Sequence, residues 1–219
     1  MLYIVSTPIG NLKDITLRAI DTLSEVDVIV SEDTRSTGML LKAHNIEKKP
    51  FISYNDYNAH KRIPEIIEIL RQDKTAALVS ENGTPAISDP GYKLIKKCIE
   101  NNIKVVPIPG CTALIPALVA SGFPTDKFAF YGFLPKTEKK KTDVFNTAVE
   151  SGMTSIFYES PHRIKKTLAV LERIIPDGEI CIGRELTKRF EEFLRGKPSE
   201  IINNMAEKPK GELVLVISK

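Results

Sequence analysis

The stretch Val79–Tyr92, with the sequence VSENGTPAISDPGY, decides how this chain folds. An apolar run, Thr75–Val79, leads into it and predicts a buried strand, and apolar residues at helical spacing follow from Leu94 onward. We expect Asp89 to cap that helix and Pro90 to be its first residue. The connection is longer than usual, and its small residues let a ligand approach the backbone. The stretch therefore predicts either a ligand-binding loop at the carboxyl edge of an α/β sheet or an ordinary Gly/Pro turn.

Strands and helices alternate through the first half of the chain. The predicted strands are Leu2–Ser6, Val26–Val30, Phe51–Tyr54, the run before the quoted stretch, and Ile103–Ile108. Helices are predicted between them, the first with Asp14 as its cap, and a last one from Thr112 to about Ala120. This alternation predicts a mainly parallel sheet.

A break at Ser121–Thr125 separates this pattern from a second one, so we predict an α/β domain over residues 1–121 and another over residues 122–219. Strands of the second domain are predicted at Lys127–Phe133, Thr154–Tyr158, Glu179–Gly183 and Glu212–Ser218. Helices are predicted at Thr137–Ser151, from a Ser160–Pro161 cap to about Ile174, and at Ile201–Met205.

Composition indicates a globular protein that needs neither disulfides nor metal. Hydrophobic residues make up 42% of the chain and charged residues 27%, and the net charge of +3 is too small to imply nucleic acid by itself. The three cysteines are scattered, and the three histidines lack metal-ligand spacing. The amino terminus predicts a strand, not a signal peptide, and no apolar run approaches the ~20 residues of a membrane span. We expect a cytoplasmic protein.

Polar residues collect at four predicted strand ends: Thr7–Asn11, Glu32–Arg35, Asn82–Asp89 and Pro109–Ala113. In a parallel sheet these ends lie at one edge, so they can converge on one pocket. The chain has no Gly-x-Gly pair, no GxxxxGK[ST] loop and no GxSxG elbow, which argues against nicotinamide enzymes, P-loop NTPases and α/β-hydrolases. A pocket of main chain and small side chains with acids nearby suits a cationic sulfonium cofactor.

Motifs along nearly the whole chain resemble a known family. In order they are TPIGNL (7–12), EDTR (32–35), GTP (83–85), ISDPG (87–91), PG (109–110), SGFP (121–124), GFLP (132–135), FYESPHR (157–163) and RELTKRFE (184–191). Together they resemble the tetrapyrrole-methylase superfamily, most closely its members that act on small-subunit ribosomal RNA. The resemblance implies S-adenosylmethionine-dependent 2′-O-methylation of a cytidine in the decoding region of 16S rRNA. It also implies two α/β domains with the cofactor in the cleft between them, and a homodimer.

The resemblance also implies which residues bind the cofactor. They are Pro8, Ile9, Gly10, Asn82, Gly83, Thr84, Ile87, Thr112, Ala113, Tyr158, Glu159 and Leu186. The chain departs from the pattern at Glu81–Asn82, where Asp-Ala is usual, and at Cys111–Thr112, where Pro-Ser is usual. The sequence also stops short of the carboxyl-terminal helical segment that many relatives carry, which bears on how RNA is bound.

Transfer to a ribose 2′-hydroxyl requires a base that takes its proton. We expect Glu32 to be that base or to orient it, with Asp33 next; alternatively, one of them pairs with Arg35 and only fixes the loop. The predicted substrate contacts are Arg35, His162, Arg163, Arg184, Glu185 and Lys188. The alternatives are a solvated helix start for His162 and Arg163, and surface ion pairs for the last three. Lys139–Lys141 is expected to be a solvated face, with attraction of phosphate as the minor alternative.

Two other functions remain open. A tetrapyrrole C-methyltransferase would act on a polyanionic small molecule and would keep an aspartate where this chain has Thr84. A non-catalytic ribosome-binding protein would keep the cofactor fold without methyl transfer.

Overall fold

A computed structural model describes residues 1–207 and 209–218. The chain forms two compact units, Met1–Thr112 and the residues from Ala113 onward. No helix in these described ranges is long and apolar enough to cross a membrane.

The first unit is a parallel sheet with helices between its strands. Its elements are β1 (Leu2–Val5), α1 (Leu17–Glu25), β2 (Val28–Ser31), α2 (Thr34–Ala43), β3 (Phe51–Ser53), α3 (Ala59–Arg71), β4 (Ala76–Val79), α4 (Tyr92–Glu100) and β5 (Val105–Ile108). The strand order is β3-β2-β4-β1-β5, and every pair is parallel. The predicted parallel sheet is confirmed.

The core of this unit lies on both faces of the sheet. Strand β4 is buried throughout: Ala76 and Leu78 pack into one hydrophobic cluster, and Ala77 and Val79 into the other. Helices cover each face, as expected for short, continuously apolar parallel strands. This arrangement places the loops after β1, β2, β4 and β5 at the carboxyl edge of the sheet.

Two predicted helix caps of the first unit are wrong. Asp14 lies in a single 3₁₀ turn, and the hydroxyl of Thr16 caps α1 by accepting from Ala19 N. Asp89 and Pro90 precede α4, which begins at Tyr92 after Gly91. The loop before it contains left-handed backbone at Ala86 and Ser88, which turns the chain again before the helix starts.

The second unit contains a mixed sheet. Its elements are α5 (Leu114–Val119), β6 (Phe128–Phe133), α6 (Glu138–Glu150), β7 (Thr154–Glu159), α7 (Ile164–Ile174), β8 (Ile180–Arg184), β9 (Glu192–Gly196), α8 (Pro198–Asn204) and β10 (Leu213–Ile217). The strand order is β6-β7-β10-β8-β9, in which β6 and β7 are parallel and the other pairs antiparallel. Strand β9 was not predicted, and Ser160–Pro161 form a turn instead of the cap of α7, which follows Arg163.

Helix α5 belongs to the second unit because it packs against β7 and β10. The change in sequence pattern at 121/122 therefore comes after this helix, whereas the division between the units comes before it.

Candidate functional site

The loops after β1 and β4 are joined directly at the carboxyl edge of the first unit. Thr7 N donates to Gly83 O at 2.8 Å, and Gly83 N donates to Thr7 O at 3.0 Å. The hydroxyl of Ser80 also donates to Gly83 O, at 3.1 Å. Gly83 has a φ of +86°, and a Cβ there would lie 3.3 Å from Ile9 Cγ2, so this crossing of two loops requires glycine.

A chain of hydroxyl groups extends this junction to the loop after β5. The Thr84 hydroxyl donates to Cys111 O at 2.8 Å, and the Ser6 and Thr84 hydroxyl oxygens are 2.8 Å apart. Because Thr84 has a single hydroxyl proton, Ser6 must be the donor of the second bond. The loops approach closely here, since a Cβ on Gly110 would lie 2.8 Å from Ser6 Cβ. Three of the four predicted loops therefore converge.

A cavity of about 290 Å³ opens beside this junction. It is lined by the β1 loop, the β4 loop and α2, through Thr7, Pro8, Gly10, Leu12, Ser36, Thr37, Met39, Leu40, Ser80, Glu81 and Asn82. Its lining residues include hydroxyl groups, an amide and a carboxylate, but no lysine or arginine. This chemistry suits a neutral or cationic ligand group and opposes an anionic one.

Acidic side chains surround the carboxyl end of β2. Burial raises the pKa of the Glu32 carboxyl above its ordinary value, and the negative charges of Asp89 and Glu81 raise it further. Burial also raises the pKa of Asp89, and the negative charge of Glu81 raises it further. Glu32 has no hydrogen-bond partner among residues 1–207 and 209–218. It is a half-buried carboxylate with its proton affinity increased.

Asp33 has a different role from its neighbour. Its Oδ1 accepts from Arg35 N at 2.7 Å and from Ser36 N at 3.2 Å, so it caps α2. Arg35 is exposed, and in the part of the chain described here it forms no ion pair with Glu32 or Asp33. The alternative in which an acid–arginine pair fixes this loop is therefore absent from the structure.

The predicted cofactor residues of the first unit lie together around the junction. Pro8, Gly10 and Asn82 line the cavity, whereas Ile9 and Gly83 are buried in the contact between the loops. The other members are Thr84 in the hydroxyl chain, Ile87, which is 39% exposed, and the half-buried Thr112 at the end of the unit.

The remaining predicted cofactor residues belong to the second unit. Ala113 precedes α5, and Leu186 is buried after β8. Tyr158 lies near the end of β7, where its ring makes edge contacts with Phe130 and Phe133. Their part in cofactor binding stays a prediction.

Glu159 ends β7 inside a buried polar cluster. Its Oε2 accepts from the Thr167 hydroxyl at 2.6 Å and lies 3.2 Å from Lys141 Nζ, and Lys141 also donates to Thr167. Its Oε1 accepts from Ser160 N at 2.7 Å and pairs with Arg163. The Glu159 side chain is therefore fully occupied within its own unit.

This cluster changes the interpretation of Lys141 and Arg163. Lys141 was expected on a solvated face, but it is only 3% exposed. The burial of Lys141 could have been inferred from the sequence, because Lys141 shares the inner face of α6 with Phe145 and Ala148 at helical spacing. Arg163 holds Glu159, while His162 is exposed in the turn that follows β7.

The predicted substrate residues at the end of β8 and in the loop after it form ion pairs with their neighbours. Arg184 Nε lies 2.8 Å from Glu192 Oε2, and Lys188 Nζ lies 3.0 Å from Glu185 Oε1 and 2.9 Å from Glu212 Oε2. The structure therefore shows the ion-pair alternative for these three residues. Sequence reasoning also missed the α2 side chains that line the cavity, for which the sequence carries no motif.

No three His, Cys, Asp or Glu side chains of residues 1–207 and 209–218 form a group that could hold a metal ion.

Comparison with known families identifies the fold. The sequence profile of the family described as Tetrapyrrole (Corrin/Porphyrin) Methylases matches residues 1–202. The chain belongs to the tetrapyrrole methylase family. The membership predicted from the sequence motifs is confirmed.

Members of the tetrapyrrole methylase family that resemble this chain over its length carry a common name. Ribosomal RNA small subunit methyltransferase I of Thermotoga maritima is 47% identical over 99% of this chain and 97% of its own length. The Hydrogenobaculum protein of that name is 48% identical over 100% of this chain and 95% of its own length. The Bacillus subtilis protein is 46% identical, with 99% of this chain and 74% of its own length covered.

Solved structures of the tetrapyrrole methylase family share the fold at low sequence identity. A cobalt precorrin-4 methyltransferase matches with a TM-score of 0.72 and 17% identity, covering 98% of this chain and 93% of its own. The uroporphyrin-III-C-methyltransferase of Thermus thermophilus matches with a TM-score of 0.64 and 18% identity, with the same coverage of both chains. The predicted fold class of two α/β domains is confirmed.

Proposed function

We propose that this chain is an S-adenosylmethionine-dependent methyltransferase of small-subunit ribosomal RNA. Its proposed acceptor is the 2′-oxygen of a cytidine in the decoding region of 16S rRNA. The observation that carries the proposal is the 47% identity to Ribosomal RNA small subunit methyltransferase I of Thermotoga maritima, which extends over 99% of this chain and 97% of that protein.

The charge of the cavity supports an RNA substrate over a tetrapyrrole. The lining contains Glu81 and no lysine or arginine, and Glu32 and Asp89 lie close to Glu81. A polycarboxylate would be repelled by these groups. The nucleoside that carries the acceptor oxygen has no carboxylate, because its charge lies on the flanking phosphates. This chain has Thr84 where a tetrapyrrole C-methyltransferase would keep an aspartate, which also favours RNA as the substrate.

The residues of the first unit suit the cofactor. S-Adenosylmethionine supplies an electrophilic methyl group on a sulfonium cation. Pro8, Gly10 and Asn82 would hold it together with the main chain around Gly83 and Thr84, in surroundings without a competing cation. The proposal also includes the family contacts on Ile9, Ile87, Thr112, Ala113, Tyr158, Glu159 and Leu186. Since the carboxylate of Glu159 is occupied by its own unit, Glu159 would contribute through its main chain.

Glu32 is the proposed base. Its raised pKa makes the carboxylate a stronger proton acceptor than an ordinary glutamate. It would take the proton of the ribose 2′-hydroxyl while the oxygen forms its bond to the methyl carbon; the bond between that carbon and the sulfonium sulfur would break, with its electron pair left on a neutral thioether. Asp33 holds the start of α2 and thereby the loop that carries Glu32. A homodimer and a cytoplasmic location remain further predictions of the family resemblance.

The test measures transfer of a tritiated methyl group to small ribosomal subunits, to naked 16S rRNA and to uroporphyrinogen. We expect label in RNA, and nucleoside mass spectrometry should assign it to 2′-O-methylcytidine. Glu32→Gln should lower turnover by about 10²–10⁴-fold with unchanged cofactor affinity. Glu47→Gln, at an exposed glutamate, is the control and should leave turnover unchanged. Label in the tetrapyrrole alone would refute the proposal, and cofactor binding without transfer to any substrate would favour a binding protein.

A further inference from the structure

The loop between β8 and β9, Glu185–Glu191, is held in one strained conformation. Glu185 and Thr187 adopt left-handed backbone, with φ of 51° and 67°. Residues other than glycine rarely occupy this region, and each such residue costs about 1–3 kcal/mol unless its surroundings impose it.

Ion pairs and hydrogen bonds fix the loop from inside. Lys188 bridges Glu185 and Glu212, and the Glu185 carboxylate also accepts from Glu212 N at 3.0 Å. Glu191 Oε2 accepts from Thr187 N at 2.6 Å. Burial works against ionisation of Glu185, but the Glu212 amide and Lys188 bring its pKa below the ordinary value.

Two side chains of this loop are left for an external partner. Phe190 is 65% exposed, and Arg189 is exposed with its guanidinium 5.6 Å from the centre of the Phe190 ring. Arg189 has no ion pair with any residue of 1–207 or 209–218, whereas the other charged side chains of the loop are engaged. The loop therefore presents one aromatic face and one arginine without an ion pair on a rigid support.

We propose that Arg189 and Phe190 bind a single-stranded segment of the RNA substrate, with a base stacked on Phe190 and a phosphate bound by Arg189. The inference rests on the proposed function. Single-stranded RNA is recognised through aromatic stacking combined with arginine contacts, and the guanidinium of Arg189, which has no ion pair among the described residues, is complementary to phosphate. The ion pairs of Arg184, Glu185 and Lys188, which are predicted from the sequence as RNA contacts, hold the loop that carries these two residues.

Phe190→Ala and Arg189→Ala test the two contacts separately, with a 16S rRNA transcript as the probe. Phe190→Ala should weaken RNA binding and raise KM for the subunit by about tenfold, with kcat unchanged, and Phe190→Trp should restore both because it restores stacking. Arg189→Ala should reduce the slope of log K against log salt by about 0.7, the effect of one lost phosphate contact on a single strand. Cofactor affinity should not change in any variant.

Arg173→Ala is the control for Arg189, since it removes an exposed arginine of the same unit that is paired with Glu138. It should leave the salt slope unchanged. Unaltered RNA affinity in Phe190→Ala and Arg189→Ala would overturn the inference, and so would a wild-type protein that does not bind the transcript. Loss of self-association without loss of RNA binding would assign the loop to a contact between copies of the chain. A wild-type protein that binds the transcript but methylates neither it nor the small subunit would refute the proposed function alone.

Discussion

Replacing Lys141 with methionine should destabilise the second unit by about 3 kcal/mol. Lys141 is 3% exposed, and the carboxylate it pairs with is fully buried. Breaking a buried ion pair by removing one partner costs about 3–5 kcal/mol, because the other charge stays in the interior. Lys141→Met falls at the low end, since Glu159 keeps Thr167 at 2.6 Å, Ser160 N at 2.7 Å and Arg163.

Glu159→Leu should cost about 5 kcal/mol, at the upper end of the same range. It leaves the Lys141 ammonium with only the Thr167 hydroxyl as a partner among the described residues, and it removes the acceptor of Ser160 N. The double variant Lys141→Met/Glu159→Leu contains no unpaired lysine. Its loss of free energy of unfolding should therefore be smaller than the sum of the two single losses by at least about 1 kcal/mol.

Urea denaturation should be followed by amide hydrogen exchange in β7 and α7, because two units can unfold separately and one global probe would mix them. Lys140→Met is the matched control: Lys140 is the exposed neighbour on α6, and its replacement should change the free energy by less than about 0.5 kcal/mol. Equal effects of Lys141→Met and Lys140→Met would refute the reasoning, as would additive costs in the double variant.

Three other predictions concern the first unit. If Glu32 is ionised to act as the proposed base, methyl transfer should be lost as the pH falls through the pKa of Glu32. Asp89→Asn removes a charge that raises this pKa and should move the acidic limb of the kcat/KM profile to lower pH. In urea denaturation, Gly110→Ala should destabilise the unit by about 1–3 kcal/mol, because its Cβ would collide with the β1 loop. Gly38→Ala is the control: α2 has open space at this position, so the alanine should stabilise the unit by up to about 1 kcal/mol. Thr84→Val should cost about 1–3 kcal/mol by the same measurement, and Thr84→Ser, which keeps the hydroxyl, should cost less.

The architecture of the first unit could be predicted because its strands are short and continuously apolar, as Ala76–Val79 illustrates. Such runs predict a parallel sheet covered on both faces, and their ends locate the loops. Strand β9 escaped prediction because Glu192 and Arg195 interrupt its apolar residues, and its position depends on pairing with β8.

The candidate site could be located from the sequence, but the roles within it could not be assigned. Glu32 and Asp33 are adjacent acids, and which of them caps α2 depends on where β2 ends and how the backbone turns. The same limit applied to Asp89, whose loop makes left-handed turns that its composition does not reveal. Neighbouring residues of one chemical type are distinguished by backbone geometry, which no short motif encodes.

The position of β10 in the second sheet determines when that sheet can form during synthesis of the chain. Leu213–Ile217 lies between β7 and β8, so this strand occupies an interior place although it is synthesised after its neighbours. A nascent chain can complete the first sheet once Ile108 has emerged, but the second sheet stays divided until Ile217 has left the exit tunnel. Until then, β7 and β8 expose the backbone edges that β10 later covers, which makes the interval before β10 emerges the period of greatest vulnerability to misassembly.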